Sequence, residues 1–449
     1  MTIIIRTAKS KLKQLMFHVV NAELPRGMRD LDSETLEGIN YVREKFFESA
    51  HLFNFTTMEP SPIETLQTLE TKSGPSISEE IYSMTDKGGR NIGLRFDLTV
   101  GLTRFVARRR DLKMPLKIAS FGGVWRYDEP QFGRYRYFHQ CDLEIYGSQN
   151  LTSDAEIIEF MYSFLKNLGL DVTIEINNRL LVEEFVRKKL NISDDSLVFD
   201  VFRIMDKVTN KGSQAIFKEY EDRIDRSILE KLVAFSNIRG VNPSAIDDAH
   251  LLGLENWKTM TELMEMLESR RIRNAAINLG IVRGLDYYSG VVFEAYDTKT
   301  NLGALVGGGR YDKLTELFGR KNLGATGAAA GVERILLALR QRNLIQKSRC
   351  HVVYVASTPG ITKAKVVQLV SALRSDGFII EYDLQDRTLS KQLDEASSKN
   401  ASVAIILAPN ELERGEIIIK SLRTGKESKL HIDKLVEELR QEISNVLNK

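Results

Sequence analysis

Between residues 126 and 138 the chain carries Arg126, Asp128, Glu129, Arg134 and Arg136, interleaved with Tyr127, Phe132, Tyr135, Tyr137 and Phe138. A guanidinium group grips phosphate with paired N–H donors, and a planar ring stacks on a base. The cluster therefore suits a nucleotide. A solvated hairpin with cross-strand pairs draws on the same residue types, so the density of the set, not any single arginine, points to the ligand.

Three further segments have chemical potential. In IVRGLDYYSGVVFE (281–294), Arg283 stands just before Gly284, and Gly284 and Gly290 bracket Asp286, Tyr287 and Tyr288. Buried tyrosine hydroxyls are directional partners for a polar ligand, although a strand with tyrosines at its solvent edge would look similar. In ALVGGGRYDKL (304–314), three glycines precede Arg310. They imply close backbone approach to a ligand or to another strand. No GxxxxGK[ST] loop is present there. In GATGAAAGVERILLAL (324–339), small residues lead into an apolar helix expected to start near Gly331. Arg334 in its first turns is mildly disfavoured by the helix dipole, which hints at a charged partner. No βα unit with a following ribose-binding acid surrounds it, so a dinucleotide fingerprint is not supported.

The elements that must position these groups can be read from periodicity. Leu36, Ile39, Val42, Phe46 and Phe47 recur at helical spacing within 35–52, and 98–109 reads as a second amphipathic helix. Residues 116–127 and 138–146 read as strands around a polar, aromatic turn at 128–137, a hairpin that implies an antiparallel sheet. From about 190 to 270 the pattern becomes mostly helical and highly charged, as an insertion would. Beyond 348, strands expected at 351–356, 378–383, 403–408 and 416–420 alternate with helices expected at 362–375, 388–399 and 432–446. That alternation implies a separate α/β domain with a largely parallel sheet.

The chain has 449 residues, too many for one core, with 63 basic and 61 acidic residues. A net charge of +2 excludes a chain-wide polybasic tail but not a local basic surface. Two scattered cysteines, Cys141 and Cys350, form no disulfide framework, and no Cys/His cluster has zinc spacing. Neither zinc nor a redox cofactor is expected. No apolar run is long enough for a membrane span. Residues 1–22 contain no acid and carry Arg6, Lys9, Lys11 and Lys13. They resemble a transit segment, but the expectation is a short extension, or a start at Met16, on a cytoplasmic protein. Organellar targeting stays open.

GVWRYDEPQFGRYRYFHQ (123–140) resembles motif 2 of the class II aminoacyl-tRNA synthetases, GAAAGVERILLAL (327–339) resembles motif 3, and the 35–52 helix with Pro60 is similar to motif 1. VRGLDYYSGVVFE (282–294) and GGGRYDKL (307–314) resemble the two signatures of the histidine-specific family, and LPRGMRDL (24–31) and LRFDLTVGLTR (94–104) match as well. The resemblance implies an extension at 1–22, a class II catalytic domain at 23–345 with its helical insertion, and an anticodon-binding domain at 349–449. It implies that L-histidine is activated with ATP, supplied with Mg²⁺ as a substrate complex, and passed to tRNA(His) by a homodimer.

By the same resemblance, Arg126 and Arg334 hold the ATP phosphates, Phe138 stacks on adenine with Arg334 over the other face, Asp128 lies near the adenine and Arg134 near the outer phosphates. Arg283 takes the α-phosphate-stabilising place that a metal holds in related enzymes. Asp97, Thr99 and Gln140 take the histidine α-amino group, with Leu98 lining. Glu144 and Tyr288 read the imidazole, framed by Tyr287 and Tyr311. Gln131, Arg136, Lys420 and Arg423 are candidate tRNA contacts. Tyr137 departs from the family pattern, where Gln or Glu stands, and puts the loop's approach to the tRNA end in question. Three competing readings are a non-catalytic regulatory paralogue of ATP phosphoribosyltransferase, a tRNA-sensing module and, with no reliance on family, a generic ATP-binding α/β protein of another class. The first normally lacks the C-terminal domain and the intact Arg and Tyr-Tyr signature; the second accompanies a kinase domain.

Overall fold

A computed structural model describes residues 23–449 except 72–74, 130–134, 212, 221, 244–245, 247–250, 252, 283–286, 346–350 and 448–449. Residues 1–22, Gln131, Arg134 and Arg283 therefore lie outside the described residues. The chain divides into two compact units, with the boundary between Ile345 and Gln346.

Strands of the first unit are β1 (Thr56–Thr57), β2 (Ile63–Thr65), β3 (Ser83–Thr85), β4 (Asn91–Leu94), β5 (Leu116–Trp125), β6 (Tyr137–Tyr146), β7 (Val172–Asn178), β8 (Arg239–Gly240), β9 (Ala275–Asn278), β10 (Val291–Asp297), β11 (Val306–Arg310) and β12 (Ala325–Gly331). Nine of them form one sheet in the order β1-β5-β6-β12-β11-β10-β7-β9-β8. From β5 to β7 every pairing is antiparallel, as the hairpin implied; β1 on β5 and β9 on β7 are parallel. A small sheet, β2-β4-β3, stands apart.

The two faces of the large sheet have different tasks. One packs against the helices Ser33–Leu52 and Leu151–Asn167, with Ile39, Val42, Phe46, Phe160 and Phe164 meeting Ala119, Leu143, Phe293 and Ala328. Phe46 sets its ring edge-on to Phe160 at 5.7 Å and to Phe164 at 5.5 Å, the geometry favoured by ring quadrupoles. The other face meets the Thr99–Arg108 helix through Leu98, Leu102 and Val106. That helix begins where Asp97 Oδ1 accepts the N–H of Val100 at 3.0 Å, which satisfies one of the orphan donors of its first turn.

The insertion contains the helices Asp195–Lys211, Ser213–Tyr220, Arg226–Ser236 and Asn256–Ser269. It is not wholly helical, because β8 leaves it to pair with β9 at the sheet edge.

In the second unit, β13 (Val352–Ser357), β14 (Ile379–Tyr382), β15 (Val403–Leu407), β16 (Glu416–Ser421) and β17 (Glu427–His431) form a sheet in the order β14-β13-β15-β16-β17. The three strands β14, β13 and β15 are parallel, but β16 and β17 run antiparallel, so the expected largely parallel sheet is a mixed one. The polar sequence ESKLH of β17 is mostly exposed and lacks the apolar alternation that marks a strand. Val353, Val355, Leu373, Ile405, Ile417 and Leu439 share the core of this unit.

Candidate functional site

Residues directly opposite one another on neighbouring strands project to the same face. One such row runs Ile118, Glu144, Gly327, Gly309 and Val292 across β5, β6, β12, β11 and β10. Two residues along lies the row Ser120, Asp142, Ala329, Gly307 and Glu294, and beyond it Gly122, Gln140 and Gly331. The β11 and β12 positions hold only glycine and alanine. They form a floor of main chain with carboxylate and amide side chains along one border. At Gly327 a Cβ would fall 1.5 Å from Glu144 Oε2, and at Gly309 one would fall 3.0 Å from Tyr288 Cδ1. The close approach expected of the glycine run is therefore real on both faces, since a Cβ at Gly308 would fall 2.6 Å from Ala328 Cβ and 2.7 Å from Phe293.

Three tyrosines wall this floor. Tyr287 and Tyr288 have ring centroids 4.4 Å apart, and Tyr287 meets Tyr311 at 5.9 Å with planes at 76°. All three are buried, not placed at a solvent edge. The Tyr311 hydroxyl donates to Glu144 Oε2 and is itself linked to Tyr146, whose hydroxyl shares a 3.0 Å hydrogen bond with Thr103 Oγ1. Burial first, and the Glu144 charge second, push the Tyr146 and Tyr311 phenols well above their ordinary range. Both stay protonated and can donate.

The other residues predicted for histidine converge here. Thr99 Oγ1 donates to Asp142 Oδ2 at 3.4 Å, Asp97 and Leu98 are buried at the start of the same helix, and Gln140 lies on the third row. Gln140 Oε1 and Ser120 Oγ are buried without a hydrogen-bond partner among the described residues. An orphaned buried polar atom costs about 1–3 kcal/mol, which a polar ligand bonded to it would recover. Ser120 was not read from sequence; a lone serine in the strand LKIASFGGVW was its only signal.

The nucleotide set is partly in view. Arg126 donates from Nε to the Phe96 carbonyl at 3.0 Å, and its guanidinium stands 5.2 Å from the Phe138 ring. Arg334 lies on the Val332–Gln341 helix, which begins at the residue after Gly331, the partner of Gln140, and donates to the Ala304 carbonyl at 2.7 Å. Asp128 offers its carbonyl to Arg136 Nε at 3.1 Å. Arg136 is buried, donates also to the Arg26 carbonyl at 3.0 Å and lies 4.0 Å from the Tyr127 ring, so it braces the hairpin. Tyr137 fits over Gly123, where a Cβ would meet its ring at 2.4 Å, and leans on Trp125 at 4.9 Å. In the second unit, Lys420 pairs with Glu427 at 2.8 Å, and Arg423 is exposed in the turn between β16 and β17.

Sequence reasoning missed Arg95, which is buried and bonded to the carbonyls of Pro60 and Gly123 and to Glu59, filling the space above Gly122. Arg310 was noted beside its glycines, but not its pairing: its guanidinium sits on Asp154 at 2.7 Å and Ser153 at 3.0 Å and ties β11 to the Leu151–Asn167 helix. Among the described residues no three His, Cys, Asp or Glu side chains are grouped to hold a metal ion, and no helix is long and apolar enough to cross a membrane.

The histidyl-tRNA synthetase family model matches residues 27–335, and the anticodon binding domain model matches residues 349–442. A curated histidine–tRNA ligase of Pyrococcus furiosus is 31% identical over 425 residues, covering 92% of this chain and 98% of that one. Its counterpart in Thermoplasma volcanium is 30% identical, covering 93% and 98%. The crystal structure of histidyl-tRNA synthetase from Nostoc sp. PCC 7120 superposes with a TM-score of 0.76 at 23% identity, covering 94% of this chain and 99% of that one. A Bacillus halodurans structure described as an ATP phosphoribosyltransferase regulatory subunit/histidyl-tRNA synthetase gives 0.70 at 23% identity, covering 87% and 99%. The buried Glu144 beside three tyrosines, the hairpin arginine over Phe138 and a family match across most of the first unit lead to one conclusion: the chain belongs to the histidyl-tRNA synthetase family.

Proposed function

We propose that this protein activates L-histidine with ATP and transfers it to tRNA(His). The observation that carries the reading is the Glu144–Tyr311 pair, buried over a glycine floor and beside Tyr287 and Tyr288. Imidazole presents one donor and one acceptor, and a carboxylate with a nearby phenol answers both. Glu144 and Tyr288 read the ring, framed by Tyr287 and Tyr311. Asp97, Thr99 and Gln140 receive the α-ammonium group, with Leu98 as lining. The acidic border of the floor favours that cation.

In the first step a histidine carboxylate oxygen bonds to the α-phosphorus of ATP and the bond to the β-phosphate oxygen breaks, releasing pyrophosphate. Negative charge builds on the phosphoryl oxygens. Arg126, Arg283 and Arg334 meet it as fixed charges, which lowers the barrier without reorganisation at the moment of reaction. Phe138 stacks on adenine, Asp128 lies by it, and Arg134 takes the outer phosphates. Magnesium arrives with ATP as part of the substrate. In the second step a terminal ribose hydroxyl of the tRNA attacks the carbonyl carbon and AMP leaves. Gln131, Lys420 and Arg423 are the tRNA contacts, with Arg136 supporting the hairpin from within. The reading includes a cytoplasmic homodimer. Relatives named as ligases over nearly their whole length favour it over a non-catalytic regulatory role.

The test is histidine-dependent ATP–pyrophosphate exchange, followed by charging of tRNA(His). Activity with histidine and none with the other amino acids is expected. Arg283→Ala should lower exchange roughly 10²–10³-fold with the fold intact. Exchange driven by a different amino acid, or none at all, would overturn the proposal.

A further inference from the structure

Strand β12 ends its ladder with β6 at Gly331 opposite Gln140, and the chain then turns into the Val332–Gln341 helix. Strand β6 runs on to Tyr137, so its His139 N–H has lost the strand that would have accepted it. Glu333, in the first turn of the new helix, takes over. Its Oε2 accepts the His139 backbone N–H at 2.9 Å and its Oε1 pairs with His139 Nδ1 at 3.0 Å. The carboxylate is 5% exposed, sits at the helix end where the dipole favours an acid, and has Arg29 Nη2 3.6 Å away. The imidazole is held in turn: Phe121 stacks on it at 5.7 Å and 28°, and the Tyr137 hydroxyl reaches Nε2 at 3.4 Å. A backbone bond and a ring bond to one carboxylate fix the end of the helix against the strand in two directions.

The neighbours in sequence give this contact its meaning. Phe138 precedes His139 and, because strand residues alternate, projects to the opposite face, where it lies under Arg126. Arg334 follows Glu333 and is turned about 100° around the helix. The groups assigned to the two faces of adenine are thus each one residue from the contact. We propose that Glu333 and His139 are positioning residues for ATP: from behind the sheet, their pairing sets the separation of Phe138 and Arg334. The inference rests on the reading that this site binds ATP.

The experiment measures histidine-dependent ATP–pyrophosphate exchange in the full-length protein, with KM for ATP and for histidine and a thermal unfolding curve for each variant. Glu333→Ala and His139→Ala should raise the ATP KM by about tenfold or more, the scale of losing a charge-assisted hydrogen bond. The histidine KM should move clearly less, since Gln140 alone among the β6 residues assigned to histidine adjoins the contact and the Glu144 row lies beyond it. His139→Asn should recover most of the ATP KM, because its amide nitrogen can stand where Nδ1 stands and donate to the same carboxylate. If Glu333→Ala does not fold, Glu333→Gln, which keeps one acceptor for the His139 N–H, should raise the ATP KM several-fold and the histidine KM by less. Equal movement of both KM values, no movement of either, or no advantage of Asn over Ala at 139 would overturn the proposal. An active wild type with unaltered variants would sink this inference alone. An inactive wild type would sink the functional reading and this inference with it.

Discussion

The hydroxyl of Tyr311 donates to the carboxylate of Glu144, and both side chains are buried. The residues are far apart in sequence: Tyr311 directly follows β11, and Glu144 lies near the end of β6. Tyr311→Phe removes the donor while keeping the ring that Tyr287 packs against. A hydrogen bond to a charged group contributes about 1.5–3 kcal/mol, so the histidine KM should rise roughly 10- to 100-fold. The ATP KM should hardly change. Steady-state exchange kinetics decide it, and an unaltered histidine KM would remove Glu144 from its assigned place.

Gly327→Ala should abolish histidine activation and also lower stability, since its Cβ would fall 2.6 Å from the Leu143 carbonyl. Its new methyl group would occupy the position of the Glu144 carboxylate, 1.5 Å from Oε2. The carboxylate would have to leave, and a site built around a substrate N–H loses on the order of 100-fold or more when its partner is displaced. Gly308→Ala, one strand over and facing the core, should cost stability while leaving the Glu144 carboxylate in place. Its methyl would press on the Gly327 carbonyl at 2.5 Å and cost about 1–3 kcal/mol of stability. Urea unfolding and exchange assays on both variants separate the two effects.

Glu184 provides a pH test in the insertion. Burial raises its pKa, but hydrogen bonds from Lys188, from the N–H groups of Asn256 and Glu255 and from the Asn256 side chain outweigh that and bring it from 4.5 to about 2. Its folded pKa is therefore below its unfolded one. The stabilisation is complete above about pH 4.5 and disappears as pH falls towards 2. Glu184→Gln should be less stable than wild type at neutral pH, by about 1.5–3 kcal/mol. The gap should close across that acid window. Urea midpoints at a series of pH values measure it; a gap that persisted at pH 2 would contradict the assignment.

A chain ended at Ile345 should keep exchange and lose tRNA charging. The boundary falls at the division between the two compact units, and every side chain assigned to ATP or histidine precedes it. Assays of both activities on one preparation, with circular dichroism to establish folding, give the answer. Parallel loss of both activities in a folded protein would mean that the second unit supports the active site.

Much of this organisation was legible because it depends on local pattern. The helices at Ser33–Leu52 and Thr99–Arg108 and the β5–β6 hairpin begin and end within a residue or two of where the apolar periodicity changes. The tyrosines and Glu144 were legible through resemblance, and the packing explains why they stand together. What could not be read depends on pairs brought together only by the fold. Glu333 with His139, Arg310 with Asp154 and Glu184 with Asn256 are separated by long stretches of chain, and none belongs to a spacing that either a helix or a strand repeats. Strand β17 was missed for a different reason: an exposed edge strand needs no apolar face, so it has no apolar signature.

The glycine and alanine floor limits how this pocket could be altered. A pocket is usually enlarged by trimming side chains, yet Gly307, Gly309, Gly327 and Gly331 have none to trim. The base is already the peptide chain itself, so its depth cannot be increased by substitution. Admitting a bulkier amino acid would have to come from the tyrosine walls. Two of them, Tyr287 and Tyr311, support each other, and Tyr311 also holds the acid. Selectivity and catalytic competence are therefore tied to the same few rings, and a laboratory search for altered substrate preference in this scaffold should find its useful changes at Tyr288 first.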